Sequence, residues 1–121
     1  MIRRTLMPTR AVEKPWGHEL IWAHTDRYVG KILHIKAGHA LSLQYHREKD
    51  ETIYLLAGRM RFEHYGEGEA PRASDLGRGE SFHITPGLRH RMLAIEDTDV
   101  LEVSTSELDD IVRLEDRYDR M

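Results

Sequence analysis

The chain has 121 residues, enough for one hydrophobic core and too few for two. Charged residues make up 32% of it with a net charge of -3 when histidine is neutral, which argues against a generic nucleic-acid surface; cysteine is absent, which excludes disulfides and thiol chemistry. No stretch approaches the roughly 18 apolar residues of a membrane helix, and Met1 to Arg10 lacks the apolar run of a leader, so a soluble, cytoplasmic protein with no membrane partner is expected.

Residues 1–30 are read as an N-terminal arm and edge strand that could extend the sheet of a neighbouring subunit in a homodimer, with Trp16 and Trp22 as packing or interface residues. Residues 31–121 complete a single domain. Lys31 to Lys36 reads as a strand closed by Ala37-Gly38. Leu41 to His46 alternates, with Leu41, Leu43 and Tyr45 on one face and Ser42, Gln44 and His46 on the other. Thr52 to Ala57 is β-branched and aromatic-rich and ends at Gly58, and Arg59 to Tyr65 can return as its hairpin partner. Gly66 to Ser74 is a polar loop. Ser81 to Thr85 and Arg89 to Ile95 flank a Pro86-Gly87 turn, and Val100 to Val103 is a last strand. From Ser106 the pattern changes: Ser106 as N-cap, with Ile111, Leu114 and Tyr118 at helical spacing, predicts a short C-terminal helix. Short strands joined by glycine-containing turns give an all-β class, an antiparallel sandwich or jelly-roll barrel.

Gln44, His46, Glu51 and His90 are the candidate metal ligands. Gln44 and His46 are two apart, so on a strand they share a face. Two imidazole nitrogens, an amide oxygen and a carboxylate suit one divalent cation such as Zn, Mn, Fe, Ni or Co. No organic cofactor is implied. Each ligand has a plainer reading: a buried histidine with a hydrogen-bonded neighbour, a surface carboxylate, a pocket amide that touches no metal.

These residues fall in two motifs that resemble those of the cupin superfamily. Gly38, the Gln44/His46 pair, Glu51 and Gly58 match the first motif in order and spacing, and Gly79, Gly87 and His90 match the second. Within cupins the chain is similar to the type II phosphomannose isomerase domain that ends the bifunctional mannose-1-phosphate guanylyltransferases. Lys14-Pro15-Trp16-Gly17, Leu41 to Gln44 with His46, Gly87 to Arg91, and Asp109 to Tyr118 carry that likeness. The resemblance implies a cupin jelly-roll β-barrel and a metal-dependent aldose–ketose isomerase of a sugar or sugar phosphate, like mannose-6-phosphate isomerase. Guanylyl transfer is not expected, because that domain has no counterpart in the sequence. Four positions depart from the pattern: Gln44 for the usual first His, Thr85 for Pro, Ala94 for Asn, and Asp119 for the Gly of the terminal Tyr-Gly-Arg.

A cation held by four protein ligands can still accept the carbonyl and hydroxyl oxygens of a sugar's first two carbons and acidify the C–H between them. A phosphorylated substrate needs cationic anchors, for which Lys31, Arg89, Arg91 and Arg120 are the candidates. The resemblance implies that Lys31 and Arg120 sit in the sugar-binding region, so they are read as catalytic. His83, with His34 beside it, is the candidate proton shuttle, and Tyr54 is a pocket-lining candidate set against core packing. Two other classes stay open. His46, Glu51 and His90 alone form the two-His-one-carboxylate set of non-haem iron dioxygenases. A non-catalytic module that binds a small anionic sugar fits the same residues.

Overall fold

In a computed structural model that describes Leu6 and residues 8–121, the described residues form eleven strands. Met1–Thr5 and Met7, which carry most of the segment read for a leader, lie outside the described residues. In chain order the strands are β1 Arg10–Lys14, β2 Gly17–His24, β3 Val29–Ile35, β4 Leu43–Tyr45, β5 Glu51–Ala57, β6 Arg59–Tyr65, β7 Arg72–Gly77, β8 Ser81–Ile84, β9 Arg89–Ala94, β10 Thr98–Ser104 and β11 Val112–Glu115. They pair antiparallel in two sheets, ordered β1-β2-β3-β10-β5-β8 and β11-β4-β9-β6-β7, an all-β arrangement consistent with a jelly roll. Among the described residues no helix is long and apolar enough to cross a membrane.

The period-2 alternation of each strand decides what lies between the sheets. Ile53 and Leu55 of β5, Met60 and Phe62 of β6, Met92 and Ala94 of β9, Val100 of β10, and Leu33 and Ile35 of β3 are buried together with Trp16, Leu76 and Ile84. Burying each large apolar side chain contributes about 1.5–3 kcal/mol. On four of these strands the same inward phase then turns polar. It reaches Glu51 on β5, His90 on β9, Glu102 on β10 and Lys31 on β3, all buried. The core therefore fills one end of the sandwich, and a cluster of ionisable side chains fills the other. Gly58 makes the β5–β6 turn possible. Its φ is 88°, and a Cβ there would lie 2.3 Å from the Asp97 carbonyl oxygen.

The predicted C-terminal helix is absent. Val112–Glu115 instead forms β11, which pairs with β4 in the register Val112↔Tyr45 and Arg113↔Gln44. Two aspartates followed by β-branched Ile111 and Val112 are poor helix formers, and β4 would otherwise leave its backbone unpaired on that side. Tertiary pairing overrode the helical spacing. The 66–74 loop is also shorter than expected, because Arg72, Ala73 and Ser74 already belong to β7. Residues before Lys31 supply the β1–β2 hairpin, which adds to β3 of the same chain and leaves β1 at the sheet edge.

Candidate metal centre

His46, Glu51 and His90 converge, with one ligand atom of each lying within 4.8 Å of the others. All three are at most 3% exposed. Glu51 opens β5 and His90 lies on β9, while His46 follows β4; Gly87 N–H donates to the His46 carbonyl oxygen at 2.7 Å and ties the two motifs together. Gly87 has φ 85°, a conformation that L side chains rarely adopt. Gln44 stands directly opposite His90 across the β4–β9 pair, so both point to the same face. Its Oε1 accepts a hydrogen bond from Ser42 Oγ at 2.7 Å, which leaves that carbonyl a second lone pair.

The hydrogen bonds around the two imidazoles place one proton on each ring. His46 Nδ1 faces the main-chain oxygen of Asp110, and His90 Nδ1 faces that of Leu88 at 2.9 Å. A carbonyl can only accept, so Nδ1 carries the proton in both rings. The Nε2 atoms then point to Glu51 Oε1, at 3.1 Å from His46 and 3.5 Å from His90. Burial alone would raise the Glu51 carboxyl, but the His46 and His90 rings and the Lys49 ammonium beside it hold it well below the usual range. The remaining nitrogen of each ring therefore faces an anionic oxygen. That contact is attractive only with a proton or a cation between them. His90 Nε2 and Glu51 Oε2 are both buried without a hydrogen-bond partner. The donor set, its outer hydrogen bonds and these two orphaned atoms fit a divalent ion.

Beside the centre opens a cavity of about 420 Å³. Gln44 and His46 line it, as do Lys31 and Arg120 of the expected catalytic set. Six basic side chains (Arg10, Lys14, Lys31, Lys49, Arg113 and Arg120) face it against three acidic ones, Glu19, Glu102 and Asp109. Lys31 Nζ lies 3.5 Å from Glu19, and Arg120 is braced by the covered carboxylate of Asp116 at 2.7 and 3.0 Å. Lys49 Nζ lies 3.2 Å from Glu51 Oε2, without the angles of a hydrogen bond, and 3.4 Å from Glu102. Burial and the nearby Glu51 push Glu102 up to about 7 against the pull of Lys49 and Lys31. Burial by itself would lower Lys49, yet Glu102 and Glu51 raise it.

Tyr54, His83, His34, Arg89 and Arg91 lie outside this cavity, and strand parity explains each. Ile53 and Leu55 point inward, so Tyr54 between them is exposed on the outer face. Phe82 packs on Phe62, so His83 points out and pairs with Asp50 at 2.6 Å. His34 likewise pairs outside with Asp99 at 2.7 Å. Arg89 and Arg91 flank the inward His90: Arg89 stacks over Tyr45, and Arg91 reaches Glu115. Trp16 is buried in the core and also lines the cavity, whereas Trp22 is partly exposed. Lys49, Glu102, Glu19, Arg10 and Arg113 were not anticipated. Glu102 shares the parity of Val100 and could have been read as inward; Arg113 was hidden by the helical reading.

The model of the cupin domain matches residues 31–105. Among curated proteins, the mannose-1-phosphate guanylyltransferase ManC of Salmonella typhimurium is 33% identical over 117 residues, which is 93% of this chain and 23% of that protein. The chain thus spans about a quarter of the length of the curated relatives it matches. Among solved structures, KdgF from Halomonas sp. aligns with TM-score 0.70 and 24% identity over 85% of this chain and 89% of that one. Oxalate decarboxylase from Bacillus subtilis aligns with TM-score 0.78 and 19% identity over 88% of this chain and 30% of that one. At such identities the two structures speak for the fold alone.

Proposed function

We propose, starting from the finding that this chain belongs to the cupin domain family, that it is a metal-dependent isomerase interconverting the aldose and ketose forms of a sugar phosphate. The observation that carries this reading is the make-up of the cavity. A chain of net charge -3 gathers an excess of basic side chains around a space that adjoins a cation-competent triad, which suits a small anionic ligand. The similarity to mannose-1-phosphate guanylyltransferases agrees with a phosphorylated hexose.

Gln44, His46, Glu51 and His90 would hold a divalent cation, which would supply Lewis acidity for the isomerisation. Arg113 and Arg120 hold the phosphate, with Arg10 at the same wall. Lys31 Nζ donates to a substrate oxygen, and its Glu19 partner keeps the ammonium in place. His83, exposed and paired with Asp50, has no part in this scheme. The chain pairs with a second copy through the free edge of β1, which light scattering of the purified protein would report as twice the 14.2 kDa chain mass.

The test is anaerobic incubation of the metal-loaded protein with mannose 6-phosphate or fructose 6-phosphate in deuterated water. Deuterium entering C2 or C1 of the recovered sugar supports the reading. Sugar-dependent oxygen consumption would assign the triad to a dioxygenase, the class that a set of two histidines and one carboxylate also serves. Stabilisation by the sugar phosphate without exchange would make this a binding module. Either result sinks the isomerase.

A further inference from the structure

Four consecutive backbone donors lie between the ligands His46 and Glu51, and all of them turn to one distant segment. Arg47 N–H donates to Asp110 Oδ1 at 3.0 Å, and those of Glu48 and Lys49 donate to Oδ2 at 2.7 and 2.9 Å. Asp50 N–H goes to Thr105 Oγ1 at 3.0 Å, and Thr105 N–H returns to the Asp50 carbonyl at 3.0 Å. The same Asp110 offers its main-chain oxygen to His46 Nδ1. One residue therefore holds the connector with its side chain and a ligand ring with its backbone.

We propose that Asp110 is the positioning residue of the metal centre. Its carboxylate fixes the connector and hence the spacing of His46 and Glu51, and its carbonyl keeps His46 in the tautomer whose Nε2 lone pair faces inward. Three backbone donors on one carboxylate make a strong, charge-assisted arrangement, and they hold the Asp110 carboxyl down at about 2. Without that anchor the short connector is free to move and His46 exchanges between tautomers, so an incoming cation would have to order both. The metal arm of the test rests on the reading of the site given above; the tautomer arm does not.

The experiment compares the wild-type chain with Asp110→Ala, Asp110→Asn and Thr105→Val. Nitrogen-15 NMR of the histidine rings in metal-free protein reports the tautomers, and competition with a chromophoric chelator reports zinc affinity. In Asp110→Ala, His46 loses its Nδ1–H signature, while His90, whose Nδ1 bonds to Leu88, keeps its own and shows that the fold persists. Zinc affinity falls about 10- to 100-fold, the range seen when supporting partners of metal ligands are removed. Thr105→Val frees Asp50 N–H but leaves Asp110, so it lowers the melting temperature while zinc affinity stays within about twofold and the His46 signature is unmoved. Asp110→Asn keeps one acceptor oxygen and falls between wild type and Ala; it is read by the same criteria should the Ala variant not fold. An unchanged His46 signature in the Asp110 variants overturns the proposal. So does a loss of zinc affinity in Thr105→Val equal to that in the Asp110 variants, which would make the segment a general strut. Wild-type protein that binds no zinc would sink the metal reading and leave the His46 tautomer to decide the role of Asp110.

Discussion

Replacing Glu51 by Gln tests the cation most directly, because it removes the only anionic ligand and preserves shape. At a metal concentration 100 times Kd, binding stabilises the folded state by about 2.7 kcal/mol. At roughly 2.1 cal/mol/K per residue, 121 residues give an unfolding entropy of about 0.25 kcal/mol/K, so the melting temperature should rise by about 10 °C. Losing the carboxylate should weaken binding by about 100-fold or more, the upper range for lost supporting partners. At the same metal concentration the stabilisation then drops to about 0.4 kcal/mol, a shift under about 2 °C. The metal-free variant should still fold. The replacement amide keeps the shape of the side chain beside the two Nε2 atoms, and Lys49 keeps Glu102 at 3.4 Å. The assay is thermal unfolding by circular dichroism with Zn, Mn, Fe, Ni and Co in turn. A variant that keeps the wild-type shift, or a wild type that responds to none of the five, refutes the reasoning.

Asp116 sets an acid limit. The Arg120 hydrogen bonds hold its carboxyl at about 2, below the ordinary aspartate value, so its stabilisation is complete above about pH 4 and is lost as pH falls through 2. Allowing for solvent screening, about 1–2 kcal/mol should vanish across that window in urea unfolding, and Asp116→Asn should flatten the profile there. Gly58→Ala should cost about 3 kcal/mol or more by chemical denaturation, since a left-handed residue with its Cβ 2.3 Å from Asp97 O has nowhere to move. Asp119, with φ 55°, is the one non-glycine left-handed residue among those described; Asp119→Gly should stabilise by about 0.5 kcal/mol, and a destabilised variant would show that its side chain matters.

The convergence of His46, Glu51 and His90 was legible because the chemistry and spacing of the two motifs are local facts, each a fixed step from a glycine. The wall of the cavity was legible only in part. Lys31 sits in the phase of Leu33 and Ile35, and Glu102 in the phase of Val100, so parity alone points both inward. The same rule, applied from His90, would have sent Arg89 and Arg91 outward. Nearness in sequence to His90 does not put Arg89 and Arg91 in the pocket, because neighbours on a strand face opposite ways. Parity does not find Arg113 and Asp110, since the segment from Ser106 carries apolar residues at helical spacing. Its strand state depends on β4, some 70 residues earlier, a long-range pairing that no local pattern contains.

Charge balance links the metal to the ligand it would serve. Around the centre, Lys31 and Lys49 face Glu19, Glu51 and Glu102, and Glu102 lies near half-protonation at neutral pH. That inner group is close to neutral by itself. A divalent ion makes it positive, and Arg10, Arg113 and Arg120 on the same wall add to the imbalance. Cations gathered in a partly enclosed space are unfavourable unless an anion joins them. A sugar phosphate is such an anion, so metal and substrate should each favour the binding of the other, and linkage requires the two effects to be equal. Arg120 already has the Asp116 carboxylate, so Arg10 and Arg113 are the side chains whose charge a neutral sugar would leave without a partner from the ligand. Weaker binding of a neutral sugar than of its phosphate is the expected outcome.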